Sequence, residues 1–148
     1  MRILALDYGS KRVGLAVSDP TGTLATPLGT LPAEPFSKFL EELRQITARY
    51  EVGVILIGWP KNMNGTVGPS AHRVLLFASR IQAELSLRVE LRDERWTTRQ
   101  ALRQLQALYP GKSRSQKRRK KKDGVSAAII LQTFLEERQA QNCGENRL

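Results

Sequence analysis

The order of the apolar segments constrains the fold of this chain more than any other feature. Three strand-like segments come first, at residues 2–7, 12–18 and 23–30, and helical and strand-like segments alternate after them. Residues 2–7 are apolar on both faces, which is typical of a central strand in a covered sheet. The order predicts an α/β fold that opens with an antiparallel meander of three strands.

Two helices and two further strands complete the predicted sheet. Residues 36–50 and 70–85 carry apolar side chains at helical spacing, and Leu75 is among the residues of the second helix that we expect to face inward. Residues 52–57 and 87–92 are strand candidates. Strands that are joined through a helix normally run parallel. We therefore expect a mixed five-stranded sheet of three antiparallel and two parallel strands, with helices on both faces.

The last third of the chain contains a basic segment between two predicted helices. A capping-box pattern at Thr97 predicts the first helix, and the second is predicted at about 124–138. Residues 110–122 lack apolar periodicity, and we expect them to form a mobile loop. We predict a single domain over residues 1–138, followed by a polar tail at 139–148.

The charge of the chain is concentrated in that basic segment. The net charge is +10, and residues 112–122 contain no acid. They hold eight of the 24 basic residues, namely Lys112, Arg114, Lys117, Arg118, Arg119, Lys120, Lys121 and Lys122. Such clustering predicts contact with nucleic acid or with an anionic surface. The alternative interpretation is a solvated tether.

Cysteine content and hydropathy indicate the compartment. Cys143 is the sole cysteine, so no intramolecular disulfide can form, which suits a reducing cytoplasm. The longest apolar stretch, residues 52–58, is far short of the roughly 20 residues that cross a bilayer. We expect a cytoplasmic protein without membrane contact, and either a monomer or a homodimer.

Acidic residues stand at the ends of several apolar segments. Asp7 ends the first strand, Asp93 and Glu94 follow the fifth, and Asp123 opens the last helix. The carboxyl ends of parallel strands meet at one edge of a sheet, so we expect these side chains to converge. Alternation along the strand does not choose between Asp93 and Glu94, because neighbouring side chains point to opposite faces. Asp19, which precedes a proline, is interpreted as a turn residue.

Converging carboxylates predict a site for divalent cations. Their mutual repulsion is relieved by metal ions, and oxygen ligands suit Mg²⁺ or Mn²⁺. Two ions about 4 Å apart are able to activate water for hydrolysis of a phosphodiester. Each acid also has a structural alternative: Asp7 as a turn residue, Glu94 as an ion-pair partner of Arg92 or Arg95, and Asp123 as a helix cap.

Several polar residues near these acids are candidates for contact with a nucleic acid. Lys11 and Arg12 follow the first strand, and we predict that at least one contacts a phosphate; the alternative is an exposed turn charge. Asn62 and Asn64 lie in a loop rich in glycine, and they offer donors to a phosphate or ribose. Their alternative role is turn formation.

Four stretches of the chain match one known family in order and spacing. They are ALDYGSKRVGLAVSD (5–19), IGWPKNMNGT (57–66), DERWTTRQA (93–101) and DGVSAAIILQ (123–132). On these stretches the chain resembles the YqgF/RuvX family of RuvC-like proteins with the RNase H fold, the pre-16S rRNA nucleases. Two positions depart from the family pattern: Trp59 replaces a leucine, and Asn64 replaces an aspartate.

The resemblance implies specific functional residues and a reaction. The family's acidic triad falls on Asp7, Glu94 and Asp123, which selects Glu94 over Asp93. The implied activity is that of a metal-dependent endonuclease that trims the 5′ end of precursor 16S rRNA. A resolvase acting on Holliday-junction DNA is one alternative, and a non-catalytic RNA-binding factor on the same fold is another. The residues alone do not distinguish RNA from DNA.

Overall fold

The computed structural model describes residues 1–9, 11–59, 68–93 and 124–145. Within them the chain forms five strands and three helices: β1 (Arg2–Tyr8), β2 (Arg12–Ser18), β3 (Ala25–Pro32), α1 (Phe36–Arg49), β4 (Val52–Trp59), α2 (Pro69–Leu85), β5 (Arg88–Asp93) and α3 (Val125–Glu145). The helix predicted from Thr97 and the basic loop lie outside the described residues.

The strands form one mixed sheet in the order β3-β2-β1-β4-β5. β2 is antiparallel to both β1 and β3, whereas β4 is parallel to both β1 and β5. This confirms the predicted combination of a three-stranded meander and two parallel strands. β1, β4 and β5 all end at the same side of the sheet, which is called the carboxyl edge below. Chain segments that follow these strands therefore start close together.

One face of the sheet is covered by α1 and α2. Leu4 and Leu6 of β1 point to this face and pack with Phe39 and Leu43 of α1 and Ile81 of α2, all of them fully or almost fully buried. Burying each of these side chains stabilises the fold by roughly 1.5–3 kcal/mol. The apolar spacing of the two helices thus produces one layer of the predicted fold.

The opposite face of the sheet is covered by α3. Ile3 and Ala5 of β1 and Leu56 of β4 pack there against Ala127 and Leu131. The small alanine side chains let the helix approach the sheet closely. Odd-numbered residues of β1 therefore face α3, and this alternation fixes the surroundings of the next odd residue, Asp7.

An aromatic cluster joins the carboxyl edge to the α1/α2 layer. The ring of Tyr8 lies 4.4 Å from that of Phe77, and Phe36 and Phe39 contact Phe77 at 6.4 and 5.6 Å. Phe77 is buried, whereas the sequence pattern placed Leu75 inward, and Leu75 is only half-buried. Phe77 shares its helix face with Val74 and Ile81, and this is the face of α2 that packs on the sheet.

Several element boundaries differ from the predicted ones; β3, for example, spans Ala25–Pro32 and not 23–30. α3 continues to Glu145, whereas the sequence placed its end near residue 138. Its last turns are polar, but glutamine, alanine and glutamate are good helix formers, so polarity alone did not end the helix. β4 extends to Trp59, two pairing positions beyond the apolar run that predicted it.

No helix within the described ranges is long and apolar enough to cross a membrane.

Candidate functional site

Asp7 is the predicted site residue whose surroundings the structure describes most fully. It is the next-to-last residue of β1 and is half-buried at the carboxyl edge. Its strand position places it on the face that α3 covers, one alternation beyond Ala5. The apolar residues before it hold the strand in the centre of the sheet. Asp7 is therefore a carboxylate on a rigid support rather than part of a flexible turn.

Asp7 lies directly beside the start of α3. Its partner across the β1–β2 pair is Gly14. A Cβ atom built on Gly14 would lie 3.7 Å from the Cβ of Asp7 and 3.4 Å from the Cα of Gly124, the residue before α3. It would also lie 3.9 Å from the Cβ of Ala127. Because Gly14 has no side chain, Asp7 and the first turn of α3 lie close together on either side of it.

The chain enters α3 through a residue that must be glycine. Gly124 has a φ of 88°, a conformation that residues with a side chain rarely adopt. A Cβ atom there would come within 2.4 Å of the carbonyl oxygen of Leu15 and 2.7 Å of that of Gly29. The backbone at the start of α3 therefore rests directly on β2 and β3, with no side chain between them.

A buried glutamine fixes the position of α3 along the sheet. Gln132 is fully buried, and its Oε1 accepts a hydrogen bond of 2.9 Å from the backbone N–H of Ala25. Its Nε2 donates to the carbonyl of Thr23 at 3.1 Å. These two bonds tie α3 to the beginning of β3, so the helix cannot slide along the sheet without breaking them. Sequence reasoning missed this role, since a single glutamine in a helix carries no signal of it.

Lys11 and Arg12 lie at the tip of the β1–β2 hairpin, and both side chains are exposed. Their backbone is held in place. The carbonyl of Lys11 accepts a hydrogen bond from Ala33, and the carbonyl of Arg12 accepts one from Gly9, each at 2.9 Å. The hairpin therefore presents two cations next to the carboxyl edge on a defined backbone.

Asp19 forms the turn that the sequence predicts. Its Oδ1 accepts hydrogen bonds from the backbone N–H groups of Thr23 at 2.7 Å and Leu24 at 3.0 Å, and its Oδ2 accepts one from the hydroxyl of Thr21. Burial acts to raise the pKa of Asp19, but the bond from Thr21 and the backbone bonds outweigh it, so the pKa lies below its usual 3.8. Asp19 is thus a structural acid.

Trp59 ends β4 and is half-buried. Its indole N–H donates to the carbonyl of Ala71 in the first turn of α2 at 3.3 Å. The tryptophan therefore helps to attach α2 to the carboxyl edge.

The remaining predicted site residues lie outside the described residues. They are Glu94, Asp123, Asn62, Asn64 and the basic residues of 112–122. Among the residues that the structure does describe, no three acidic, histidine or cysteine side chains group together as metal ligands. Asp7 is thus the one member of the predicted triad with described surroundings, and its hard carboxylate oxygens fit Mg²⁺ or Mn²⁺.

A cavity of about 320 Å³ lies on the α3 face near β5. Its apolar lining includes Val54 and Phe134, and its charged lining includes Arg92 and Glu137, which form an ion pair. Asp7 is not among the described residues that line it. The ion pair shows that Arg92 lies on the α3 face of the sheet.

Comparison with known families identifies the chain. A family model described as "RuvX: Holliday junction resolvase" matches residues 1–137. The chain belongs to the RuvX family. This confirms the family that the four sequence stretches indicated. The matched range includes both the motif around Asp7 and the segment that starts α3.

Relatives in the RuvX family match nearly the whole chain. A protein of Thermoanaerobacter pseudethanolicus (strain ATCC 33223 / 39E) is 40% identical over 136 residues, which cover 92% of this chain and 96% of the relative. One of Clostridium botulinum (strain Hall) is 43% identical over 136 residues, covering 92% and 97%. Both carry the name "Putative pre-16S rRNA nuclease".

Solved structures of resolvases share the fold of this RuvX chain. Thermus thermophilus RuvC in complex with a Holliday junction substrate aligns with a TM-score of 0.56 at 12% identity, covering 93% of this chain and 96% of that one. The fowlpox virus resolvase in complex with Holliday junction DNA aligns with a TM-score of 0.53 at 14% identity, covering 93% and 98%. Identities this low support the common RNase H-like fold alone.

Proposed function

We propose that the protein is a divalent-metal-dependent endonuclease that hydrolyses RNA phosphodiesters and processes the 5′ end of precursor 16S rRNA. The observation that carries the proposal is the contact between the Asp7–Gly14 pair and the start of α3. It joins two segments that are more than a hundred residues apart in sequence, and an acid of the predicted triad belongs to each.

The proposed place of Asp123 follows from its covalent link to Gly124. Neighbouring Cα atoms are about 3.8 Å apart across a trans peptide. Gly124 itself is pressed against β2 and β3 next to Asp7. This supports Asp123 as the second carboxylate of the site, in preference to a simple helix cap.

The faces of the sheet support Glu94 over Asp93 as the third acid. Arg92 lies on the α3 face, because it pairs with Glu137 of α3. Alternation assigns position 93 to the opposite face and, if it continues one residue further, assigns position 94 to the α3 face again. Glu94 would then share a face with Asp7. The sequence alone did not reveal which face the site occupies.

In this proposal Asp7, Glu94 and Asp123 hold the metal ions through carboxylate oxygens. Bound Mg²⁺ or Mn²⁺, expected as a pair, supplies a water of lowered pKa and stabilises the charge on the leaving oxygen. The buried strand beneath Asp7 keeps that ligand from moving. No protein nucleophile is needed, which agrees with a chain whose sole cysteine is Cys143.

Basic residues bind the substrate backbone in this proposal. Lys11 and Arg12 are exposed at the hairpin beside Asp7, so they are placed to contact phosphates next to the cleaved bond. The eight basic residues of 112–122 add a larger contact that precedes Asp123 directly in sequence. Each phosphate contact releases counterions, so RNA binding should weaken steeply with added salt.

The direct test is cleavage of a short RNA that spans the 5′ junction of precursor 16S rRNA, with and without Mn²⁺. Asp7→Asn removes a charged ligand without changing volume, so it should fold normally and lose cleavage. Asp19→Asn is a matched control, since it makes the same chemical change in a turn away from the site. Wild-type turnover in the Asp7→Asn protein would refute the catalytic assignment.

A resolvase of four-way DNA junctions is the second candidate function. It is favoured by the description of the family model and by the shared fold with RuvC. Cleavage of the junction RNA and of a four-way DNA junction, measured side by side, separates the two. If the protein is instead a non-catalytic RNA-binding factor, the Asp7→Asn variant should still perform its function in cells.

A further inference from the structure

The outer side of α2 carries two arginines and a leucine that the proposed site does not use. Arg73, Leu76 and Arg80 lie on the side of the helix that faces away from its buried residues, and all three side chains are exposed. These three residues are called the α2 strip below. The only acid of α2 is Glu84 in the last turn, where it pairs with Arg44 of α1 at 3.5 Å. The α2 strip is therefore a positively charged surface with an apolar centre.

Both arginines of the α2 strip keep their positive charge available. None of the ion pairs among the described residues involves Arg73 or Arg80. The guanidinium carbon of Arg80 lies 3.7 Å from the centroid of the Phe36 ring, a cation–π contact that holds the side chain without neutralising it. A cation held in this way loses little conformational freedom when it binds an anion. Arg73 lies seven residues earlier, about 10 Å away along the helix axis. The two cations are thus spaced to contact different phosphates of one strand.

The α2 strip starts beside the candidate site. The first turn of α2 is bonded to Trp59 at the end of β4, so the helix begins at the carboxyl edge. On the other side, the carbonyl of Lys11 in the β1–β2 hairpin accepts a hydrogen bond from Ala33, three residues before Phe36. Phe36 in turn carries the guanidinium of Arg80. A series of contacts therefore leads from the basic hairpin beside Asp7 to the α2 strip.

We propose that the α2 strip binds an unpaired segment of the substrate RNA that flanks the segment held at Asp7. This inference rests on the proposed nuclease function. Arg73 and Arg80 contact phosphates, and Leu76 packs against a base or ribose between them. Bases are open to such contact only where the strand is unpaired, because paired bases are stacked inside a helix.

The charge of the α2 strip favours RNA over a second copy of the chain. Leu76 is 68% exposed, and a single exposed leucine is common on protein surfaces. Here, however, it lies between two arginines, and the chain as a whole has a net charge of +10. A two-fold contact through the strip would bring like charges together, whereas a nucleic-acid strand supplies the opposite charge.

The experiment measures RNA binding by the full-length protein in fluorescence anisotropy without divalent metal, so that cleavage does not interfere. The variant Arg73→Gln/Arg80→Gln is compared with Arg44→Gln/Arg49→Gln, which lowers the net charge equally but changes the half of α1 that lies away from the carboxyl edge. One RNA spans the 5′ junction with unpaired flanks, and the other is cut back to the few nucleotides around the cleaved bond. Thermal melts check that each variant is folded.

We expect the α2 strip variant to lose affinity for the longer RNA only. Each phosphate contact with a single strand contributes about 0.7 to the salt slope, so two lost contacts should lower the slope by about 1.4 and weaken binding roughly 10- to 30-fold near 0.1 M salt. Binding of the short RNA should change by less than about twofold, and so should both affinities of the control variant. Leu76→Ser should weaken binding of the longer RNA roughly three- to tenfold without changing the salt slope, because it removes apolar contact and no charge.

The outcomes separate this inference from the proposed function. Equal losses in the two double variants, equal losses for the two RNAs, or unchanged binding of the longer RNA would each overturn the inference. If Leu76→Ser instead changes the oligomeric state in sedimentation and leaves RNA affinity unchanged, the surface contacts another copy of the chain and the inference is wrong. A wild type that binds the longer RNA through the α2 strip but cleaves no RNA with Mn²⁺ would refute the nuclease proposal and leave the inferred surface standing.

Discussion

Replacing Gly124 by alanine should destabilise the protein more than replacing a glycine of similar backbone conformation elsewhere. Gly124 has a φ of 88°, and a Cβ there would lie 2.4 Å from the carbonyl oxygen of Leu15 and 2.7 Å from that of Gly29. A side chain in a left-handed conformation costs about 1–2 kcal/mol, and overpacking against a rigid backbone typically adds about 1–3 kcal/mol. We expect a loss of roughly 2–5 kcal/mol in the free energy of unfolding.

Gly22→Ala is the matched control for this prediction. Gly22 has a φ of 72°, but a Cβ there would meet nothing within 4 Å. It should therefore lose only the backbone part, about 1–2 kcal/mol. Urea denaturation of the wild type and both variants gives the three free energies of unfolding. Equal losses in the two variants would refute the close approach of α3 to the sheet, and with it the proposed meeting of Asp7 and Asp123.

Three further predictions concern other parts of the chain. Gln132→Leu should lose roughly 1–3 kcal/mol of stability in urea denaturation, because the buried N–H of Ala25 would lose its acceptor, and an unchanged midpoint would contradict the role of this side chain. Because the pKa of Asp19 is lowered in the folded protein, its ionised form stabilises the fold at pH values above its ordinary pKa of 3.8. This contribution is lost as the pH falls through the lower folded-state pKa. The difference in Tm between the wild type and Asp19→Ala should therefore be present at about pH 6 and shrink toward about pH 2. Deleting residues 113–121 should weaken RNA binding and flatten its salt dependence in fluorescence anisotropy, and an unchanged salt slope would count against phosphate contacts by this segment.

The sheet could be predicted from the sequence because each strand carries its own signal. The apolar run before Asp7 marked the central strand, and the helices between later strands required parallel pairing. The burial of Phe77 in place of Leu75 was missed, although Phe77 stands at helical spacing from Val74 and Ile81 and is buried with them. The end of α3 was also missed, because a polar helix end resembles a polar tail.

The candidate site could be predicted only in part, for a physical reason. The sequence pointed to Asp7 because a carboxylate after a buried strand is costly without a partner. It did not reveal that Gly14 and Gly124 bring the start of α3 against Asp7, because contact between distant segments depends on how the helix crosses the sheet. The choice between Asp93 and Glu94 likewise requires knowing that α3 covers the Asp7 face.

The central claim is that carboxylates from distant parts of the chain hold the same divalent ions. Calorimetric titration of Mn²⁺ into the wild type, Asp7→Asn, Asp123→Asn and the double variant tests it as a double-mutant cycle. If the two acids share ions, each single variant loses most of the affinity, and the double variant loses little more than either. Losses that simply add, or an Asp123→Asn protein that binds Mn²⁺ as the wild type does, would contradict the account.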